Sequence, residues 1–226
     1  MACVNPNEIM TPIADEFAPA RVVASETMYE GLVWDVRRDS VDLGHEVVQR
    51  DLVDHPGAVA VIALDEEDRL VLIQQYRHPT RMREWEVPAG LLDVPDEPAL
   101  LAAQRELAEE ADLHADSWAV LLDYATSPGF TNETIRIFLA RGIRPVPEEE
   151  RHERTGEERD MPVRWVSLDE ARDAVLAGRL HNPHTVIAIL AAHAMRERGW
   201  RDLRPADEPW ALRQALRDAA SRAGSA

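Results

Sequence analysis

Apolar side chains in the first fifty residues occur in short patches separated by polar residues, a pattern typical of antiparallel strands. The patches are Val22-Val23, Leu32–Val36 and Glu46–Val48. In residues 57–77, two runs rich in β-branched side chains flank the acidic turn Asp65–Asp68, which predicts a β-hairpin.

Residues 99–111 predict a helix, because their apolar positions recur at helical spacing. These positions are Leu100, Ala103, Leu107 and Ala111. Pro98 suits the first helical turn, and Asp96 or Glu97 is the candidate cap. The predicted helix has one buried face and one face left for polar side chains.

The remaining pattern alternates between strands and terminal helices. The predicted strands are Trp85–Pro88, 118–125, 133–140 and 161–168. A charged, exposed loop is predicted at 145–160. Helices are predicted near 169–178, 184–198 and 210–222. This order favours an α+β fold over a regular βαβ array. The expected architecture is an α/β/α sandwich with mixed β-sheets and an N-terminal antiparallel strand region. The expected divisions are a flexible arm at 1–18, the N-terminal strand region at 19–56, the main domain at 57–198 and a tail at 199–226.

Composition narrows the class of protein. The formal net charge of −17 argues against nucleic acid as a partner, since phosphate backbones are bound by basic surfaces. A small phosphorylated substrate remains compatible, because metal ions can supply positive charge. The only cysteine, Cys3, excludes a disulfide framework within the chain. With no apolar stretch long enough for a membrane span and no secretory signal pattern, we expect a cytoplasmic protein.

The polar face of the predicted helix carries three carboxylates. Glu106, Glu109 and Glu110 stand at helical spacing and share one face, where like charges repel. A divalent cation would remove that repulsion, and carboxylate oxygens suit magnesium or manganese. Taken alone, the three residues fit a solvated acidic face better than a metal site.

The residues around these three carboxylates favour the metal site instead. The segment from Gly90 to Leu113, GLLDVPDEPALLAAQRELAEEADL, closely resembles the Nudix box. The matching positions are Gly90, Glu97, Arg105, Glu106, Leu107, Glu109, Glu110 and Leu113. One residue more than in the family's pattern separates Gly90 from Glu97, and Asp112 replaces the final glycine. Aspartate tolerates the left-handed backbone that such a glycine usually adopts.

Three further segments resemble the ADP-ribose pyrophosphatase branch of that family. They are Gln75–Arg77, Trp85–Gly90 and Ser127–Phe130, which holds Pro128. Each also has a plainer explanation: an ordinary turn for the Ser-Pro-Gly sequence, packing for the aromatic residues and surface charge for the arginines.

The resemblance implies a Nudix-type sandwich and a metal-dependent hydrolase that splits ADP-ribose, a nucleoside diphosphate derivative, into AMP and ribose 5-phosphate. Glu106, Glu109, Glu110 and the carbonyl of Ala89 would hold Mg²⁺ or Mn²⁺, with Arg105 orienting the carboxylates. Glu106 and Glu110 would thereby serve catalysis.

A loop glutamate beyond the box would act as the base, and Glu158 is the first candidate, with Glu157 second. The candidate substrate-binding residues are Arg77, Arg81, Trp34, Arg37, Glu86, Pro128 and Gly129. The same branch implies a homodimer in which the N-terminal strands of one subunit cover the other's site. Two alternatives stay open: a Nudix hydrolase of a sugar nucleotide, dinucleoside polyphosphate or oxidised nucleotide, and a non-catalytic nucleotide-sensing module.

Overall fold

The computed structural model describes residues 13–154 and 161–223. In chain order the strands are β1 (Arg21–Tyr29), β2 (Asp35–Asp42), β3 (Val47–Asp54), β4 (Ala58–Ala63), β5 (Arg69–Arg77), β6 (Met82–Glu86), β7 (Ala89–Leu91), β8 (Leu113–Ala125), β9 (Thr134–Pro145), β10 (Val163–Ser167) and β11 (Arg204–Pro205). The helices are α1 (Ala99–Ala111), α2 (Leu168–Leu176), α3 (Pro183–Glu197) and α4 (Ala211–Ala223). The predicted helices are all present, and β8 and β9 are longer than predicted.

A five-stranded mixed sheet, ordered β11-β8-β9-β4-β7, forms the centre of the fold. Strand β4 pairs parallel to β9 and antiparallel to β7. Every residue of β4 is buried, and alternate side chains enter two separate hydrophobic clusters. A strand buried on both faces has a continuous apolar sequence, which is why this run lacks polar alternation.

Helices cover both faces of this sheet. Ala188, Ile189 and Ala192 of α3 lie in one cluster, together with Leu168 and Ala171 of α2. On the other side, α1 contributes its apolar face to the second cluster, through Ala102, Ala103, Leu107 and Ala111. This layering confirms the predicted α/β/α sandwich with mixed sheets.

The predicted hairpin over residues 57–77 is wrong. The two runs do form β4 and β5, but β5 belongs to a second sheet, ordered β10-β5-β6. Across the turn they are joined by an isolated bridge between Leu64 and Leu70 and by the Asp65 N–H, which donates to the Arg69 carbonyl at 3.0 Å. Asp68 in this turn has a φ of 54°. Both edges of β4 are already occupied by β7 and β9, so β5 turns away and pairs elsewhere.

The N-terminal antiparallel sheet, β1-β2-β3, is present as predicted, with one difference. The patch Leu32–Val36 is mostly not strand, because Gly31–Trp34 forms the tight connection between β1 and β2. The backbone N–H of Gly31 donates to the Asp35 carboxylate at 3.1 Å, and Leu32 is fully exposed. The apolar side chains of this patch therefore lie at the surface.

The start of α1 also differs from the prediction. Pro98 is the N-cap residue rather than part of the first turn, and no side chain caps the helix. Asp96 and Glu97 precede it, and the Glu97 carboxylate binds Arg105 instead. Arg105, eight residues further along the chain, offers this carboxylate two charge-assisted hydrogen bonds. Together they stabilise it more than a single bond from a backbone N–H at the helix start would.

None of the helices in the described part of the chain combines the length and apolar character needed to cross a lipid bilayer.

Candidate active site

The carboxylate face of α1 lies directly against strand β7. A Cβ built at Gly90 would overlap the carboxylate of Glu106, so only glycine lets that side chain lie over the backbone of β7. Gly90 is itself held opposite Val59 in the central sheet. The first glycine of the box and its first helical glutamate are therefore in direct contact.

Glu110 reaches the same strand one residue earlier. Its carboxylate is 4% exposed and accepts the backbone N–H of Ala89 at 2.8 Å. A buried carboxylate is costly unless it is hydrogen-bonded, and this bond also sets the position of the Ala89 peptide. The structure thus brings Glu106, Glu110 and Ala89 together.

Arg105 joins the remaining acidic residues. Its guanidinium donates to both carboxylate oxygens of Glu97, at 3.1 and 3.0 Å. It also donates to Glu106 at 2.6 Å and to Glu109 at 3.3 Å. The hydrogen bonds to Glu97 are the main reason that the pKa of Arg105 rises above its ordinary value, and they hold the pKa of Glu97 below its own.

The donor set fits a hard divalent cation chemically. Glu106, Glu109 and Glu110 share one helix face, and all three offer carboxylate oxygens, the ligands that Mg²⁺ and Mn²⁺ prefer. Within residues 13–154 and 161–223, no three acidic or histidine side chains are already arranged around a common metal position. Arg105 hydrogen-bonds one carboxylate oxygen of Glu106 and one of Glu109, so it fixes the orientation of both side chains.

A second polar group lies at the end of β5 and β6. Arg77 donates through Nε and Nη2 to the two oxygens of Glu86, at 2.8 and 2.6 Å. Glu86 is 1% exposed, and His184 Nε2 lies 3.4 Å from its Oε2, the same oxygen that Nη2 of Arg77 binds. Burial alone would raise the pKa of Glu86, but the hydrogen bonds from Arg77 and the nearby His184 imidazole outweigh it and hold the pKa below its ordinary value.

Arg77 belongs to the same electrostatic environment as α1. Its pKa is raised first by the hydrogen bonds to Glu86 and further by the charges of Glu110 and Glu84. Glu86 therefore holds Arg77 where the charge of Glu110, one carboxylate of the box, acts on it. Arg81 lies at the exposed tip of the β5-β6 hairpin with a φ of 61°, and its role in substrate binding stays a prediction.

The structure places Trp34 and Arg37 at the N-terminal sheet and Pro128 and Gly129 in a turn, and their role in substrate binding stays a prediction. Arg37 is bound to Asp54 at 2.9 Å and to the hydroxyl of Ser25, and Trp34 is 44% exposed in the β1-β2 connection. Pro128 and Gly129 occupy an exposed turn closed by the Phe130 N–H donating to the Ser127 carbonyl at 3.0 Å.

That turn is joined to the end of β3. The N–H of Val53 donates to the Phe130 carbonyl at 2.8 Å, and the N–H of Asn132 donates to the Val53 carbonyl at 3.3 Å. The N-terminal sheet and the turn are thus hydrogen-bonded to each other through backbone groups.

Glu157 and Glu158, the predicted bases, lie outside the described residues. The segment just before them is anchored to the end of α1. Arg154 donates to the carbonyl of Glu109 at 2.8 Å and to the carboxylate of Asp112 at 2.6 Å. Arg154 was not among the predicted site residues, because a charged run carries no periodicity that separates one arginine from the next.

Two more residues that sequence reasoning missed lie at the start of α3. Asn182 caps the helix, and Thr185 accepts the backbone N–H of Val87 at 3.0 Å. The Asn-Pro pair at 182–183 is a recognisable helix start. The partner of Thr185 lies 98 residues away, so no local pattern points to it.

Comparisons with known proteins agree with this arrangement. The NUDIX domain model matches residues 54–187, more than half of the chain. An ADP-ribose pyrophosphatase of Mycobacterium tuberculosis is 43% identical over 189 residues, covering 83% of this chain and 89% of that protein. A methanol dehydrogenase activator of Bacillus methanolicus is 34% identical over 170 residues, covering 75% and 90%.

A solved structure described as an ADP compounds hydrolase superposes with a TM-score of 0.65 at 20% identity, covering 82% of this chain and 99% of that one, and supports the fold. The box-bearing helix against β7, the sandwich around it and these similarities lead to one conclusion. The chain belongs to the Nudix family, in which its sequence is similar to the ADP-ribose pyrophosphatases.

Proposed function

We propose that this protein is a divalent-metal-dependent pyrophosphohydrolase that converts ADP-ribose and water into AMP and ribose 5-phosphate. The observation that carries the proposal is the contact of α1 with β7, where Glu106 lies over Gly90 and Glu110 binds the Ala89 peptide. Similarity to the ADP-ribose pyrophosphatase of Mycobacterium tuberculosis, over 83% of the chain, supports this choice of substrate.

Glu106, Glu109, Glu110 and the carbonyl oxygen of Ala89 would hold Mg²⁺ or Mn²⁺. The bound ion would neutralise phosphate charge and lower the pKa of a coordinated water. The chain's own contribution is to fix these donors on two elements, α1 and β7, and to use Arg105 to limit repulsion among the carboxylates when they carry no cation.

Substrate phosphate would meet Arg77 at the edge of this site. Glu86 holds Nε and Nη2 of that guanidinium, and within the described residues Nη1 makes no hydrogen bond. A guanidinium held on one edge presents the other to a phosphate oxygen without losing much side-chain freedom on binding.

Hydrolysis requires a base, and in our proposal Glu158, with Glu157 as the second choice, removes a proton from the attacking water. The water oxygen bonds to one phosphorus of the diphosphate, and the bond from that phosphorus to the bridging oxygen breaks. One phosphate leaves on AMP and the other on ribose 5-phosphate. A base on a loop would complete the site only when substrate is bound.

The direct test is incubation of the purified protein with ADP-ribose and Mg²⁺ or Mn²⁺, with AMP measured by chromatography. The same assay is run with alternative substrates: a sugar nucleotide, a dinucleoside polyphosphate and an oxidised nucleotide. Preference for ADP-ribose supports the proposal. Equal or better turnover of another substrate assigns the same chemistry to that compound, and ligand-induced stabilisation without product indicates a sensing module.

A pair of variants tests the metal assignment. Glu106→Gln should lower kcat/KM at least a hundredfold with unchanged circular dichroism, because an amide is a weaker metal ligand than a carboxylate. The control is Glu66→Gln in the exposed β4-β5 turn, which removes one negative charge outside α1 and β7 and should keep full activity. Full activity in both variants would show that the metal is held elsewhere.

We also propose that the enzyme acts as a homodimer in which the N-terminal sheet of one subunit covers the site of the other. Supporting this, the β1-β2 connection exposes Tyr29, Leu32, Val33 and Trp34, a cluster of large apolar side chains that a monomer would leave in water. Light scattering that gives the mass of a single chain at micromolar concentration would reject this arrangement.

A further inference from the structure

The peptide segment Val87–Ala89 connects β6 to β7 and is held from three sides. The N–H of Val87 donates to the hydroxyl of Thr185 in α3 at 3.0 Å. The carbonyl of Pro88 accepts the N–H of Val61 in β4 at 2.8 Å, and the N–H of Ala89 donates to Glu110 in α1 at 2.8 Å. Three separate elements therefore determine where the Ala89 peptide lies.

The bond from α3 is the one that solvent cannot replace. Thr185 and Val87 are both fully buried, so the Val87 N–H has no access to water if the hydroxyl is removed. A buried N–H without an acceptor is strongly unfavourable, and the backbone shifts to find one. Thr185 is itself fixed, since its own N–H donates to the capping side chain of Asn182 at 3.2 Å.

The rest of the first turn of α3 binds the strand that precedes this segment. The Asn182 amide donates to Glu84 at 3.4 Å, and His184 lies 3.4 Å from Glu86. These contacts fall on alternate residues of β6, which share one face of the strand. The helix start is thus docked on β6 in one register, which brings the Thr185 hydroxyl to Val87.

We infer that Thr185 is a positioning residue for the metal site: its hydroxyl, acting through the Val87 backbone, sets the Ala89 peptide that supplies one carbonyl ligand and anchors Glu110. The inference rests on the proposed function for the identity of the ligand. Loss of the hydroxyl disturbs both ligands at once, although Thr185 contacts neither the cation nor the substrate.

The test compares Thr185→Val, which keeps the shape and removes the acceptor, with Thr185→Ser, which keeps the acceptor. Mn²⁺ binding to the free protein is measured by electron paramagnetic resonance, and hydrogen exchange of the Ala89 amide is measured by NMR without metal. For Thr185→Val we expect the Kd for Mn²⁺ to rise about tenfold or more, as is typical when a partner of a metal ligand is removed. Exchange at Ala89 should also become faster, and Thr185→Ser should restore both values.

Ser167→Ala is the matched control. The Ser167 hydroxyl accepts the backbone N–H of Glu170 at 3.1 Å at the start of α2, away from the site. This variant also removes a hydroxyl that accepts a backbone N–H, but at an exposed position, so it controls for the loss of such a bond outside the site. It should leave the Mn²⁺ affinity and the exchange of Ala89 unchanged.

The outcomes separate the inference from the proposed function. Unchanged Ala89 exchange and unchanged Mn²⁺ affinity in Thr185→Val overturn the inference while the function stands. A wild type that binds no Mn²⁺ and turns over no substrate defeats the proposed function and, with it, the assignment of Thr185 to a metal site. If Thr185→Val does not fold, Thr185→Cys, whose thiol is a weaker acceptor, is measured in the same way and should give a smaller change of the same sign.

Discussion

Gly90 shows how a single hydrogen atom at Cα determines the geometry of the box. The Glu106 carboxylate occupies the volume that any other side chain at this position would need. Because β7 is held in the central sheet opposite β4, the backbone has little freedom to move away. The carboxylate, at the end of a flexible side chain, is the group that would be displaced.

Gly90→Ala should therefore damage the metal site more than the fold. We expect at least a tenfold loss of Mn²⁺ affinity, in line with the effect of removing the support of a metal ligand, and little change in the urea midpoint. Titration calorimetry and urea unfolding measure the two quantities. A large loss of stability with unchanged affinity would show that the strand yields and Glu106 does not.

His55 gives the molecule a pH dependence that can be tested. Its imidazole accepts the N–H of Gly57 at 3.0 Å through Nδ1, and its Nε2 lies 3.5 Å from the Glu133 carboxylate. Burial is the main cause that lowers the pKa of His55 from its ordinary value of 6.5; Arg213 lowers it further, and Glu133 and Asp54 oppose the shift.

A histidine whose pKa is lowered in the folded state favours the folded state while it is neutral. Its contribution is present in full above pH 6.5 and is lost as the pH falls through the folded-state pKa. Between pH 7 and pH 5, the free energy of unfolding should fall less in His55→Asn than in the wild type. Urea unfolding at several pH values measures this difference, and parallel curves would contradict the assignment.

At the scale of elements, α1 ends where the box departs from its family pattern. Asp112 has a φ of 54° and a ψ of 39°, the left-handed conformation that glycine adopts without cost. Its carboxylate compensates by binding Arg154, which ties the chain beyond β9 to the end of α1. The prediction that aspartate tolerates a left-handed backbone at this position is confirmed.

Two substitutions separate these contributions. Asp112→Ala loses both the ion pair and the tolerance for left-handed backbone, whereas Asp112→Gly loses only the ion pair. The glycine variant should be the more stable of the two by about 1 kcal/mol, because a left-handed conformation costs an ordinary residue about 1–2 kcal/mol. Chemical denaturation measures the difference, and equal stabilities would show that the left-handed conformation costs alanine no more than glycine at this position.

At the scale of the whole molecule, the C-terminal tail packs against the main domain, a role that the sequence did not predict. Trp210 is 8% exposed and enters the cluster that contains the apolar face of α1. Arg136 lies over its ring at 4.9 Å and donates to the carbonyl of Glu208, which fastens the tail to β9. The tail is therefore part of the packed core on the side of the sheet that carries the box.

Removing that anchor should destabilise the entire domain. Trp210→Ala should lower the free energy of unfolding by about 3–5 kcal/mol, the usual cost of truncating a buried large aromatic side chain. Leu176→Ala, at a position that is 71% exposed, is the control and should change stability by less than about 0.5 kcal/mol. A change of similar size in both variants would mean that the tail does not support the core.

The sequence by itself determined the features that depend on neighbouring residues. The bounds of α1 follow from its 3.6-residue period, and the shared face of Glu106, Glu109 and Glu110 follows from their spacing. The sandwich follows from the order of strands and helices. Such properties are local, because backbone geometry converts spacing along the chain directly into position on one element.

Only the tertiary structure decided which distant segments meet. It placed β5 in a second sheet because the edges of β4 were taken, and it set Glu110 against the Ala89 peptide. It also joined Thr185 to Val87 across 98 residues. A buried hydrogen bond of this kind depends on how whole elements pack, and the energy that selects it comes largely from burial of the apolar faces of those elements.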